Sequence, residues 1–214
     1  MKLKEYLFTI IIILTISACS GTKKLNKESI AKTSFSKSEI SLIMQADSST
    51  PMRVYKINSK SDSLLLRTKS SPVLLNPKDT VLQNFVKRLY RTVRDSMSLG
   101  VGIAAPQVGV LKNIIWVQRF DKEEFPFEVY LNPKITEYSE EKQTYTEGCL
   151  SIPDRSETLY NRSFEIVIEY DTMENVHKSE RVEGFTSVIF QHEIDHLNGI
   201  LYLDHLEKEV KDSE

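Results

Sequence analysis

The run Gln191-His192-Glu193-Ile194-Asp195-His196 sets two imidazoles four residues apart with a carboxylate between them. On a helix, residues four apart share one face, so His192 and His196 can close on one cation while Glu193 points at its open position. The chemistry this offers is hydrolysis, because a cation held in that way activates water and polarises a carbonyl. A catalytic site of the zinc type takes three protein ligands and leaves one position free, so the pair needs a third ligand.

Downstream candidates fail. Proteases with the longer pattern HExxHxxGxxH take a third histidine, but here Gly199 is followed by Tyr202 at that position. Glu207 and Glu209 stand too near the pair to return from a separate packed helix. The chain has four histidines and two cysteines. His177, in the polar turn Asn175-Val176-His177-Lys178, and His205 near the C-terminus read as surface residues, and Cys19 belongs to an N-terminal segment. Cys149 remains, in Glu147-Gly148-Cys149-Leu150-Ser151. A lone cysteine is ordinarily a small buried apolar residue. Beside this histidine pair its thiolate becomes a soft ligand, and the resulting Cys-His-His set suits iron, zinc, cobalt or nickel.

These residues need elements to position them. Apolar residues at Val81, Leu82, Phe85, Val86, Leu89, Val93 and Met97 predict an amphipathic helix from Thr80 to Ser98, capped by Asp79 or Thr80 and stopped by Gly100. Asn113 to Gln118, Val129 to Leu131 and Phe164 to Tyr170 read as strands, and Phe185 to Leu197 as a second helix ended by Gly199. The expected class is α+β: short, mostly antiparallel strands around a central metal-binding helix, with an additional N-terminal helix. The glycine-rich run Gly100 to Gly109 lacks the lysine of a phosphate-binding loop and follows a helix, so it reads as backbone that approaches a ligand closely.

Three motifs in order carry a family resemblance: Gly100-Val101-Gly102-Ile103-Ala104-Ala105-Pro106-Gln107-Val108-Gly109, then Glu147 to Ser151, then Gln191 to His196. The chain resembles a peptide deformylase from about Ser71 to Leu206. The resemblance implies a hydrolase that removes the formyl group from formyl-methionyl peptides, with metal-bound water as nucleophile and Glu193 as general acid and base. It implies Cys149, His192 and His196 as ligands of one divalent ion, Fe2+ first and Zn, Ni or Co as alternatives. Gln107 and the backbone N–H of Leu150 would stabilise charge on the formyl oxygen. Val101, Gly102 and Gly148 would line the peptide, and Val188 and Ile189 would line a methionine pocket. The segment Asp154 to Arg162 departs from the family's arginine spacing by one residue, and the tail after His205 is expected without the longer helix of many members.

The first residues form a separate unit. Lys2 and Lys4 precede an apolar run from Tyr6 to Thr15, then Ile16-Ser17-Ala18-Cys19. That pattern describes an export signal, too short for a comfortable membrane span. It resembles a bacterial lipoprotein signal, in which Cys19 becomes the lipidated first residue. The expected organisation is a signal at 1–18, a lipidated flexible tether at 19–52, and a catalytic domain at 53–214. The expected location is extracytoplasmic and membrane-anchored, as a monomer. A net charge of −2 argues against nucleic-acid binding. Two other readings stay open: an HExxH metallopeptidase, and a non-catalytic peptide-binding surface lipoprotein.

Overall fold

The computed structural model describes residues 33–95 and 100–213. The signal and Cys19 lie outside the described residues. Helices α1 (Lys37–Met44), α2 (Lys60–Leu66) and α3 (Thr80–Val93) lead into strands β1 (Gly102–Ala104), β2 (Ile114–Gln118), β3 (Phe127–Tyr138), β4 (Lys142–Cys149), β5 (Ile152–Ser163), β6 (Glu165–Asp171) and β7 (His177–Glu183). Helices α4 (Gly184–Leu197) and α5 (Tyr202–Ser213) complete the chain. The named strands pair antiparallel in a five-stranded sheet of order β1-β2-β3-β6-β7 and a separate β4-β5 hairpin. The expected α+β class is the one observed.

Alternation along β2 explains the layering. Ile114 and Trp116 pack with the α3 side chains Phe85, Val86 and Leu89, while Ile115 and Val117 pack with Ile189, Phe190 and Ile194 of α4. The sheet is therefore sandwiched between α3 and α4. Asp79 is the cap of α3, its Oδ1 accepting from the N–H groups of Val81 and Leu82 at 2.9 and 3.3 Å. The helix ends at Val93, whose carbonyl accepts Gly100 N–H at 3.2 Å; Met97 and Ser98 of the expected helix lie outside the described residues.

One expectation needs correction. Residues 33–52 are not a solvated tether. Phe35, Ile43 and Met52 are buried in the same core cluster as α3, and Ile43 is wholly inaccessible. Buried Arg88 on α3 donates to four carbonyls of this segment: Leu42, Ile43, Thr50 and Pro51, at 2.8 to 3.3 Å. The folded unit thus begins before residue 53. The tail forms the 12-residue helix α5, whose amphipathic face packs on β5 and closes over Ile152 and Leu159 through Leu203 and Leu206.

Candidate metal centre

Helix α4 carries the histidine pair. It is apolar on nearly every side and buried between sheet and hairpin, which is where a helix without a wide polar face must lie. Its few buried polar residues join it to the hairpin. Gln191 donates from Nε2 to Ser163 O at 2.9 Å and accepts Ser163 N–H at 3.0 Å. Gln143, at the start of β4, donates to Gly184 O and Ser187 Oγ at 3.0 and 2.9 Å. These bonds fix the hairpin beside α4 and deliver Cys149, the last residue of β4, to the histidines.

Cys149, His192 and His196 have their ligating atoms all within 4.8 Å of one another. Cys149 Sγ is 3.2 Å from His196 Nε2, and the two imidazole centroids are 5.0 Å apart. Burial alone would raise the Cys149 thiol, but His196 and His192 beside it hold it well below the ordinary range. A lowered thiol and two imidazoles converging on one point form a donor set that fits a divalent cation.

Glu193 lies 4 % exposed on the same helix, and its Oε2 has no hydrogen-bond partner among the described residues. Burial raises its carboxyl to about 7. A buried, unpaired carboxylate oxygen is costly unless something further comes to it, which suits a proton carrier at a reacting centre. Gly102 makes the space: a Cβ there would stand 2.5 Å from Glu193 Oε1 and 2.9 Å from its Cγ.

Gln107 sits in the 3-10 turn Ala105–Val108 that follows β1. Its Oε1 accepts Ala104 N–H at 2.8 Å, which turns its amide NH2 towards Cys149 Sγ at 3.5 Å and Ser151 Oγ at 3.3 Å. Val101, Gly102, Gln107, Gly148, Leu150, Val188 and Ile189 line one cleft of about 520 Å³ with Cys149, His192 and Glu193. Every predicted site residue among those described therefore meets at this place, with His196 buried beneath it. Gly148 has open space at its Cβ position.

Sequence reasoning missed the support behind the ligands. His192 Nδ1 is 2.7 Å from Glu147 Oε2, and Glu147 pairs with Arg162 at 2.6 and 3.0 Å. Arg162 reaches Asp195 at 2.7 Å, and Asp195 meets His205 Nε2 at 2.8 Å. Burial would raise Glu147, yet His192 and Arg162 bring it down to about 2. His205 is half-buried in this network, which corrects its reading as a surface residue, while His177 is exposed beside Asp171. The signal for Glu147 was present: a ligating histidine almost always has a carboxylate or carbonyl on its other nitrogen. At a bulge between β4 and β5, Ile152 and Ser156 pair with neighbouring Cys149 and Gly148, and the intervening Pro153, Asp154 and Arg155 line the cleft.

Comparison with known proteins agrees with this geometry. The family model described as polypeptide deformylase matches residues 53–212. The chain is 37 % identical over 150 residues to a peptide deformylase of Rhizobium meliloti, covering 69 % of this chain and 83 % of that protein. It is 36 % identical over 156 residues to peptide deformylase 2 of Bacillus subtilis, covering 67 % and 85 %. Among solved structures, the Met-Ala-Ser-bound class I type b peptide deformylase of Acinetobacter baumannii superposes with a TM-score of 0.66 at 32 % identity, covering 73 % of this chain and 99 % of that one. The peptide deformylase of Thermotoga maritima superposes with a TM-score of 0.63 at 29 % identity, covering 72 % and 97 %.

Proposed function

The chain belongs to the peptide deformylase family, and we infer from that membership and from its site that it is a metal-dependent hydrolase removing the N-formyl group from peptides. The observation that carries this reading is the convergence of Cys149, His192 and His196 within 4.8 Å, with the unpaired Glu193 Oε2 in the same cleft.

A divalent ion on these ligands supplies Lewis-acid activation of water and of the formyl carbonyl. In this reading Glu193 takes the proton from the attacking water and returns it to the departing amine nitrogen. Gln107 Nε2 and the backbone N–H of Leu150 donate to the formyl oxygen as its negative charge grows, and one such donor is worth about 3 kcal/mol. The backbone of Val101 and Gly102 aligns the peptide. Val188 and Ile189 receive the methionine side chain on an apolar floor.

Ferrous iron is the ion we propose, because the family resemblance implies it first; one thiolate with two imidazoles equally suits zinc, nickel or cobalt. The test is formate release from formyl-Met-Ala-Ser by chain stripped with a chelator and reloaded with Fe2+, Ni2+ or Zn2+ in separate anaerobic samples. The expected result is no release when stripped and the fastest release with Fe2+. Undiminished release from stripped chain would contradict the metal-dependent reading.

We further propose that the enzyme is exported and anchored through lipidated Cys19, and that it acts on formylated peptides or other N-acyl substrates outside the cytoplasm. The support is the basic start, the apolar run and the Ser17-Ala18-Cys19 sequence. In cells fed a labelled fatty acid, label and membrane association are expected for the natural chain and are lost in Cys19→Ser. An unlabelled, unattached natural chain would refute the anchor.

A further inference from the structure

We propose that Tyr202, the first residue of α5, is a positioning residue for the hydrolysis: its ring steadies the metal ligand His192 while its hydroxyl holds the β4–β5 bulge that walls the cleft. The role rests on the deformylase reading.

The chain reverses after α4 and seats the first turn of α5 behind the site. Gly199, at φ 75°, makes the reversal, and Asp204 Oδ2 accepts Leu201 N–H at 2.8 Å as the new helix starts. His205 Nε2 meets Asp195 Oδ2 at 2.8 Å, which ties α5 back to the helix that carries the ligands. Farther along, Glu209 Oε1 accepts Tyr160 N–H of β5 at 3.0 Å. Tyr202 is thereby held at 1 % exposure among Ile152, Leu159 and Leu201.

The Tyr202 ring lies on the imidazole of His192. Their centroids are 6.0 Å apart and their planes 24° from parallel, within the range of offset stacking. The contact between His192 Nδ1 and Glu147 fixes where that edge of the imidazole points, but it leaves the ring free to tilt about the line joining the two atoms. A flat neighbour against the ring's face removes the tilt. His196 meets His192 at 77° and so supplies no parallel face.

The hydroxyl reaches the other half of the site. Tyr202 Oη donates to Arg155 O at 3.1 Å. Arg155 lines the cleft with Pro153 and Asp154 in the bulge between β4 and β5, where Asp154 takes φ 59°. Core packing accounts for the buried ring, and a phenylalanine would fill the same space. The hydroxyl adds a tether from the ring that steadies a metal ligand to the wall beside the peptide. Peptide binding and ligand orientation therefore share one fixed side chain.

The test measures kcat and KM for formyl-Met-Ala-Ser, metal affinity by chelator competition and thermal unfolding, all on the full metal-loaded chain. Tyr202→Phe keeps the ring and loses the tether: KM is expected to rise about fivefold, with kcat and metal affinity within about twofold of natural. Tyr202→Leu keeps apolar bulk and loses the flat face, so metal affinity is expected to fall about tenfold as well. Leu206→Ala thins the same apolar cluster. It is expected to lower Tm while KM and metal affinity stay within about twofold of natural. An unchanged KM in Tyr202→Phe, natural metal affinity in Tyr202→Leu, or the same two losses in Leu206→Ala would overturn the role. A natural chain that binds metal and releases no formate would instead overturn the deformylase reading, and the metal affinities alone would still decide for or against Tyr202.

Discussion

His192 Nδ1 and Glu147 Oε2 lie 2.7 Å apart, so the imidazole that faces the metal position on one side is tied to a buried carboxylate on the other. The contact leaves Nε2 as the ligating atom and fixes the ring's orientation. Glu147 is itself held by Arg162, which also holds Asp195, so the two helical turns that carry the ligands share one arginine. Glu147→Gln is expected to weaken metal affinity by roughly ten- to a hundredfold. Competition with a chromophoric chelator measures this. Unchanged affinity would reduce Glu147 to a packing residue.

Gly102 is where backbone and general base touch. Gly102→Ala puts a methyl group 2.5 Å from Glu193 Oε1 and 2.9 Å from its Cγ, so the carboxylate must leave its place in the cleft. The expected outcome is a fall in kcat of roughly a hundredfold or more while metal remains bound. Steady-state kinetics and metal content on the same sample check it; a near-normal kcat would show that Glu193 has room to move.

The metal set and its helix were legible from local pattern. His192, Glu193 and His196 are one helical turn, and Cys149 was the one unassigned soft ligand. The strand and α3 positions followed from alternation and from the spacing of Val81, Leu82, Phe85 and Leu89. What escaped was set by long-range register. Arg162 meets Glu147 because β5 folds back on β4, and it meets Asp195 because Gln191 and Gln143 seat α4 on the hairpin. Residues 33–52 read as tether since their Ser, Lys and Glu content outweighs Phe35, Ile43 and Met52. The four carbonyls that Arg88 collects lie 37 to 46 residues before it, beyond any local signal.

That folded N-terminal segment has a stability consequence. Ile43 is wholly buried beside Phe85 and Leu89, so Ile43→Ala is expected to cost about 2 to 4 kcal/mol. Thermal or urea unfolding of the full chain measures it. A loss below about 0.5 kcal/mol, the size of an ordinary surface substitution, would return residues 33–52 to the status of a tether.

Gln107 points its amide NH2 at the centre because Ala104 N–H takes its oxygen. Gln107→Leu is expected to lower kcat by about a hundredfold to a thousandfold with little change in KM, since the donor acts on charge that appears only as the formyl carbon is attacked. A change confined to KM would place Gln107 in binding alone.

The most direct measurement is formate release from formyl-Met-Ala-Ser by Glu193→Gln, with metal content determined in parallel. Glutamine keeps the shape but cannot take a proton. The account predicts full metal occupancy, because Cys149, His192 and His196 are untouched, and a loss of kcat of about a thousandfold or more. A metal-loaded Glu193→Gln enzyme that releases formate at near the natural rate would contradict it.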